Sequence, residues 1–208
     1  MRRLCVFCGS RLGEAEAYRQ DAQRLGAALA SNGIGLVFGA GHIGLMGVLA
    51  DAVLQAGGEA IGVIPRALVE LELSHKSLSE IHIVETMHQR KAKMAELCDA
   101  FAALPGGFGT ADELFEMLTW SQLGLHSKPI GLLNTAGFFD PLLAWLDHTV
   151  TEGFIPGRHR QMLLAAKTPN ELLTMLGFEL STRQPPDRHL VHRNDGLLNP
   201  NEPAQPSK

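Results

Sequence analysis

Short apolar runs that stop at glycine or proline alternate along this chain with longer stretches of helical periodicity, and no other feature restricts the fold as strongly. The runs lie at residues 4–7, 35–38, 60–64, 100–104, 130–133 and 163–166, with a shorter one at 81–84. Several are apolar without alternation, the pattern of strands covered on both faces. Between them, residues 14–31, 45–56, 88–99, 111–123 and 139–152 carry apolar side chains at three- and four-residue spacing, which predicts helices. Residues 170–176 follow Thr168 and Pro169, a cap residue and a first-turn proline, and predict a last helix. Repeated strand–helix units imply an α/β fold with a parallel sheet.

One domain accounts for this length: residues 1–180 form it, and 181–208 make a tail rich in proline, asparagine and charge with few apolar residues, expected to be loosely ordered. A formal net charge of −4 gives no extended basic face, so a nucleic-acid partner is not expected, although a local pocket for a small anion is compatible with it. The opening MRRLCVFCGS is too short in its apolar part for a signal peptide and reads as a first strand. With no apolar run long enough to cross a bilayer and 3 sparse cysteines, a membrane partner is not expected and the cytoplasm is. Cys5 and Cys8 form a CxxC, but a second ligand pair and an intervening helix start are both missing, so they read as strand residues. No HExxH, clustered Cys/His set or GxSxG occurs, which leaves metal catalysis and ester hydrolysis unsupported.

Three motifs can carry chemistry. The first is Leu104-Pro105-Gly106-Gly107-Phe108-Gly109-Thr110-Ala111-Asp112-Glu113, placed where a buried strand gives way to an amphipathic helix. Glycines there let backbone N–H groups and the positive helix end approach an anion, and Thr110 can add a hydroxyl. A plain capping box of Thr110 and Glu113 explains part of the pattern but does not call for so many glycines. The second, Gly39-Ala40-Gly41-His42-Ile43-Gly44, matches GxGxxG formally. The acidic residue that dinucleotide binding wants at the end of the next strand is missing: Glu59 lies at that strand's start, and Ile64-Pro65-Arg66 ends it. Arg66 keeps an NADP-dependent enzyme open as an alternative. The third is Met87-His88-Gln89-Arg90-Lys91, at the start of the helix before the strand that feeds the first motif. Adjacent helical residues point in different directions, so one of the two cations can face a ligand while the other faces solvent or the base.

MHQRK followed by PGGFGTADE is similar to the paired motifs of the Lonely Guy (LOG) family, nucleoside 5′-monophosphate phosphoribohydrolases that activate cytokinins. FCGS, GAGHIGLMG, GVIP, LTWSQLG and EGFI resemble family sequence in the same order, over roughly residues 3 to 177. The resemblance implies a Rossmann-like three-layer α/β/α fold, a homodimer and no cofactor. It further implies that Gly107, Phe108, Gly109, Thr110, Ala111, Asp112 and Glu113 bind the nucleotide together with Arg90, Lys91, Glu72 and Thr119, with Arg90 and Glu113 as the catalytic pair. Relatives have also carried a lysine decarboxylase label, but nothing here supplies the lysine and ring site of a pyridoxal enzyme. The chain departs from the family at Ala40, where many relatives have glycine, and at Asp112, where many have glutamate.

Breaking an N-glycosidic bond places positive charge on the ribose and electron density on the departing base. Glu113 is expected to stabilise the ribose cation and handle water, and Arg90 to assist the base. A sensor that binds a nucleotide without cutting it stays open beside the enzyme.

Overall fold

The structure, a computed structural model, describes residues 1–70 and 75–180. Glu72 and the tail at 181–208 lie outside the described residues. In chain order the elements are β1 (Arg3–Phe7), α1 (Glu16–Ser31), β2 (Gly35–Phe38), α2 (Gly44–Gln55), β3 (Ala60–Pro65), α3 (Arg66–Glu70), β4 (Glu80–Val84), α4 (Met87–Leu97), β5 (Ala100–Ala103), α5 (Phe108–Gln122), β6 (Ile130–Leu133), α6 (Asp140–Thr151), α7 (Gly157–Arg160), β7 (Leu163–Ala166) and α8 (Pro169–Met175). Every run read as a strand is one. Two short helices, α3 of 5 residues and α7 of 4, were not anticipated, because so few residues carry no measurable period. The first turn of α5 was also missed: the helix starts at Phe108 and not at Ala111, since a glycine-rich turn reads as loop.

The strands form one 7-stranded sheet of order β4-β3-β2-β1-β5-β6-β7. All pairings are parallel. Alternating side chains feed two cores. Leu4 and Val6 of β1, with Leu36 and Phe38 of β2, pack under α1, α2 and α8 through Leu25, Leu49 and Leu172. Cys5 and Phe7, with Val37 and Phe101, pack on the other face against Met94 of α4, Leu114 of α5 and Leu146 of α6. This is the three-layer α/β/α arrangement. Among the described residues no helix is long and apolar enough to cross a membrane.

Chain direction through the sheet reverses between β1 and β5, so the loops leaving their carboxyl ends part and open a crevice, the usual ligand position of an open parallel sheet. Backbone bonds knit the crevice floor. Gly9 N–H donates to Pro105 carbonyl at 3.0 Å, and Leu45 N–H donates to Gly9 carbonyl at 3.0 Å, tying α2 to the same loop. Gly44 makes that approach feasible: its φ is +63° and a Cβ on it would stand 2.2 Å from the Ser10 carbonyl carbon. Gly44→Ala is expected to lower unfolding free energy by about 2–4 kcal/mol, the left-handed penalty plus overpacking. Denaturant titration measures it, and a loss within error of zero would contradict this account of the loop.

Candidate active site

The crevice contains a cavity of about 300 Å³ bounded by Cys8, Gly9 and Ser10 after β1, Gly39, Gly41 and Ile43 after β2, Arg90 of α4, and Gly107, Phe108, Gly109, Thr110 and Glu113 of the β5–α5 turn. Gly107 caps α5 and no side chain closes the helix end. Ala111 N–H is already bonded to Gly107 carbonyl at 3.1 Å, so the free N–H groups of the end belong to the turn before it. Thr110 therefore sits inside the helix, not at its cap, and the capping-box reading of Thr110 and Glu113 does not describe this turn. Gly106 lets Thr110 close over the loop, because a Cβ there would lie 2.1 Å from Thr110 Oγ1. The end carries partial positive charge and is open to an anion.

Beneath it lies an ion pair. Thr86 caps α4 by accepting Gln89 N–H at 3.1 Å, which fixes the helix start and sends Arg90 inward under the sheet edge. Arg90 Nε donates to Val63 carbonyl at 3.1 Å, and Nη1 meets Glu113 Oε1 at 3.1 Å. The two side chains are only 11% and 9% exposed. Burial pushes the Glu113 carboxyl from 4.5 up to about 7, against the opposing pull of Arg90. At neutral pH this group therefore exchanges a proton readily. Cys8 also borders the cavity, but burial raises its thiol, next to Glu113, so that it stays neutral.

The remaining expected site residues divide. Arg90, Gly107, Phe108, Gly109, Thr110 and Glu113 come together around the cavity. Lys91 turns away from it and is held by Asp112 and Glu116, each at 2.9 Å. Asp112 points to that network and not to the cavity, and Ala111 is exposed beside it. Thr119 donates its hydroxyl to Phe115 carbonyl at 2.7 Å and borders a separate cleft against Trp145. Glu72 lies outside the described residues. Residues that sequence reading did not single out also contribute walls: Ser10, Met46, Ile64 and Leu68. Ser10, Met46 and Ile64 stood in the quoted strings FCGS, GAGHIGLMG and GVIP; Leu68 carried no separate signal.

A protein-family profile described as "Possible lysine decarboxylase" matches residues 46–176. The "Probable cytokinin riboside 5′-monophosphate phosphoribohydrolase LOGL1" of Oryza sativa subsp. japonica is 53% identical over 82% of this chain and 77% of its own length. Cytokinin riboside 5′-monophosphate phosphoribohydrolase LOG3 of Arabidopsis thaliana is 49% identical over 84% of this chain and 81% of its own. The chain belongs to the LOG family. The fold of this LOG member extends further: the molybdenum cofactor carrier protein of Chlamydomonas reinhardtii superposes with a TM-score of 0.63 at 19% identity, over 83% of this chain and 94% of that one. The lysine decarboxylase description finds no support in the site, where Lys91, the lysine of the LOG motif pair, is tied to two carboxylates outside the cavity.

The raised carboxyl has a consequence for folding. Because the folded state favours protonated Glu113, its stabilising contribution is complete below pH 4.5 and is lost as pH rises through about 7. That loss amounts to about 3 kcal/mol over the interval. Glu113→Gln, which cannot ionise, is expected to match the parent protein near pH 4 and to exceed its stability at pH 8 by up to that amount. Denaturant titrations at the two pH values check it, and an offset independent of pH would show that Glu113 titrates normally.

Proposed function

We propose that this chain hydrolyses the N-glycosidic bond of adenosine 5′-monophosphates with or without an N6 substituent, releasing the free base, a cytokinin or adenine respectively, and ribose 5-phosphate. The observation that carries this reading is a single cavity joining the uncapped start of α5 to the buried Arg90–Glu113 pair. An anion at the helix start sets the 5′-phosphate, and the ribose then spans toward Glu113. Ile43, Met46, Ile64 and Leu68 offer an apolar wall suited to a base with an apolar substituent.

Cleavage heterolyses the C1′–N bond: its electron pair leaves with the base, and C1′ becomes cationic until water adds. Glu113 as carboxylate stabilises that cation and takes the proton from the attacking water. Arg90 stays charged and hydrogen-bonds the departing base, whose nitrogen ends with the proton that Glu113 took from the water. With its carboxyl near 7, Glu113 can accept a proton and release it within one turnover. Site assignments rest on this chemistry and on the family pattern.

Three measurements test the reading. Purified protein given AMP and an N6-prenylated AMP is expected to yield base and ribose 5-phosphate, resolved by chromatography, with the prenylated nucleotide turned over faster. Glu113→Gln is expected to reduce turnover by about a hundred- to ten-thousandfold with the fold intact. Near-normal turnover in that variant would overturn the role of Glu113. In the parent protein kcat/KM is expected to climb as pH rises through about 7, since the carboxylate is the working form; a flat profile there counts against it. Binding of AMP without release of base would favour a sensor.

A homodimer in the cytoplasm completes the proposal. Trp145 and Phe154 are 52% and 83% exposed, and Ile81 and Ile83 of edge strand β4 are 42% and 46% exposed, apolar area consistent with a partner copy. Light scattering at micromolar concentration decides it. The three free cysteines are all buried, consistent with a reducing compartment.

A further inference from the structure

Apart from the wall that Ile43 lends the base, the GAGHIG loop has no part in the reaction as described so far, yet its glycines are crowded by different neighbours. Gly44 faces the Ser10 backbone and Gly41 faces the Met46 side chain. Gly39 differs in kind. A Cβ on it would lie 1.7 Å from Arg90 Nη2, 2.9 Å from Cζ and 3.4 Å from Nε, so that the nearest atoms all belong to the guanidinium. Its φ is outside the left-handed region, so backbone conformation alone does not demand glycine. The demand comes from a side chain on another element.

We propose that Gly39 is a positioning residue: by lacking a side chain it forms the seat against which the Arg90 guanidinium lies, holding it in register with Glu113. This rests on the reading of Arg90 and Glu113 as the reacting pair. The guanidinium is fixed on its other sides by Val63 carbonyl at 3.1 Å and by Glu113 at 3.1 Å. An added methyl group pushes it off that seat by more than those hydrogen bonds tolerate. The same geometry argues against a dinucleotide at this GxGxxG loop. The space next to its first glycine, through which a pyrophosphate would approach the backbone, is filled by an arginine of the same chain.

The test is a double-mutant cycle of Gly39→Ala with Arg90→Ala, read on AMP turnover and on thermal unfolding. Gly39→Ala alone is expected to lower kcat by about a hundredfold, the cost of misplacing a reacting group by an ångström, with KM changed by no more than a few-fold. It is also expected to lower the unfolding temperature. In the Arg90→Ala background, where the seat is vacant, adding Gly39→Ala is expected to change neither turnover nor unfolding temperature. If Gly39→Ala alone fails to fold while the double variant folds, that is the same coupling. Equal losses in both backgrounds, or normal turnover and stability in Gly39→Ala beside an inactive Arg90→Ala, would overturn the proposal. Near-normal turnover of Arg90→Ala would instead overturn the catalytic reading, and the unfolding temperatures would still decide whether Gly39 seats the guanidinium.

Discussion

The buried ion pair of Arg90 and Glu113 is the constraint around which the rest is arranged. Two charges taken out of water cost several kcal/mol each, and a pair of hydrophobic residues in their place would serve stability as well or better. Their burial is tolerable because the guanidinium is met on more than one side and the carboxyl can take up a proton. Val63 lends a strand carbonyl, Thr86 fixes the helix from which Arg90 projects, and Gly39 gives up the space the guanidinium occupies. A chain that bears that cost at a sheet's carboxyl edge, beside an open helix start, is organised for chemistry and not for rigidity.

A second ion network lies beside the first. Arg90 and Lys91 are neighbours on α4, and each reaches α5: Arg90 inward to Glu113, Lys91 outward to Asp112 and Glu116. The outer contacts and the inner pair both tie α4 to α5. Lys91 thus bridges α4 to α5 outside the cavity. The sheet supplies the other coordinate, because the switch between β1 and β5 brings Gly9 and Pro105 together and so places the start of α5 over the pair.

Much of this was legible in the residues. Strands buried on both faces announce themselves as unbroken apolar runs, and even edge strand β4, whose Ile81 and Ile83 stay exposed, showed as a short one. The glycine turn before α5 was legible because a strand end, several glycines and a helix start coincide in one string. Three things were not. The first turn of α5 has glycine where helix propensity is weakest, so only hydrogen bonding reveals it. Sequence adjacency of Arg90 and Lys91 says that they diverge but not which one turns inward, which depends on α5. The contact of Gly39 with Arg90 joins residues from separate strand–helix units, and no local pattern encodes it.

Asp112 and Glu113 make the general point within a single dipeptide. Both are carboxylates in the same helical turn, and a list of residue types would give them the same task. The helix sends them apart, leaving the Asp112 side chain 60% exposed against Lys91 and that of Glu113 only 9% exposed against Arg90. Exposure keeps the first in ordinary solvent, where it acts as a salt-bridge partner. Burial raises the second to about 7 and makes it a group that can change protonation state during a reaction at neutral pH. Substituting glutamate for Asp112 would keep the charge at the Lys91 network and leave proton exchange where the burial is. The division of labour is thus set by which side of α5 meets the sheet, and the carboxylate proposed for chemistry is the one the fold desolvates.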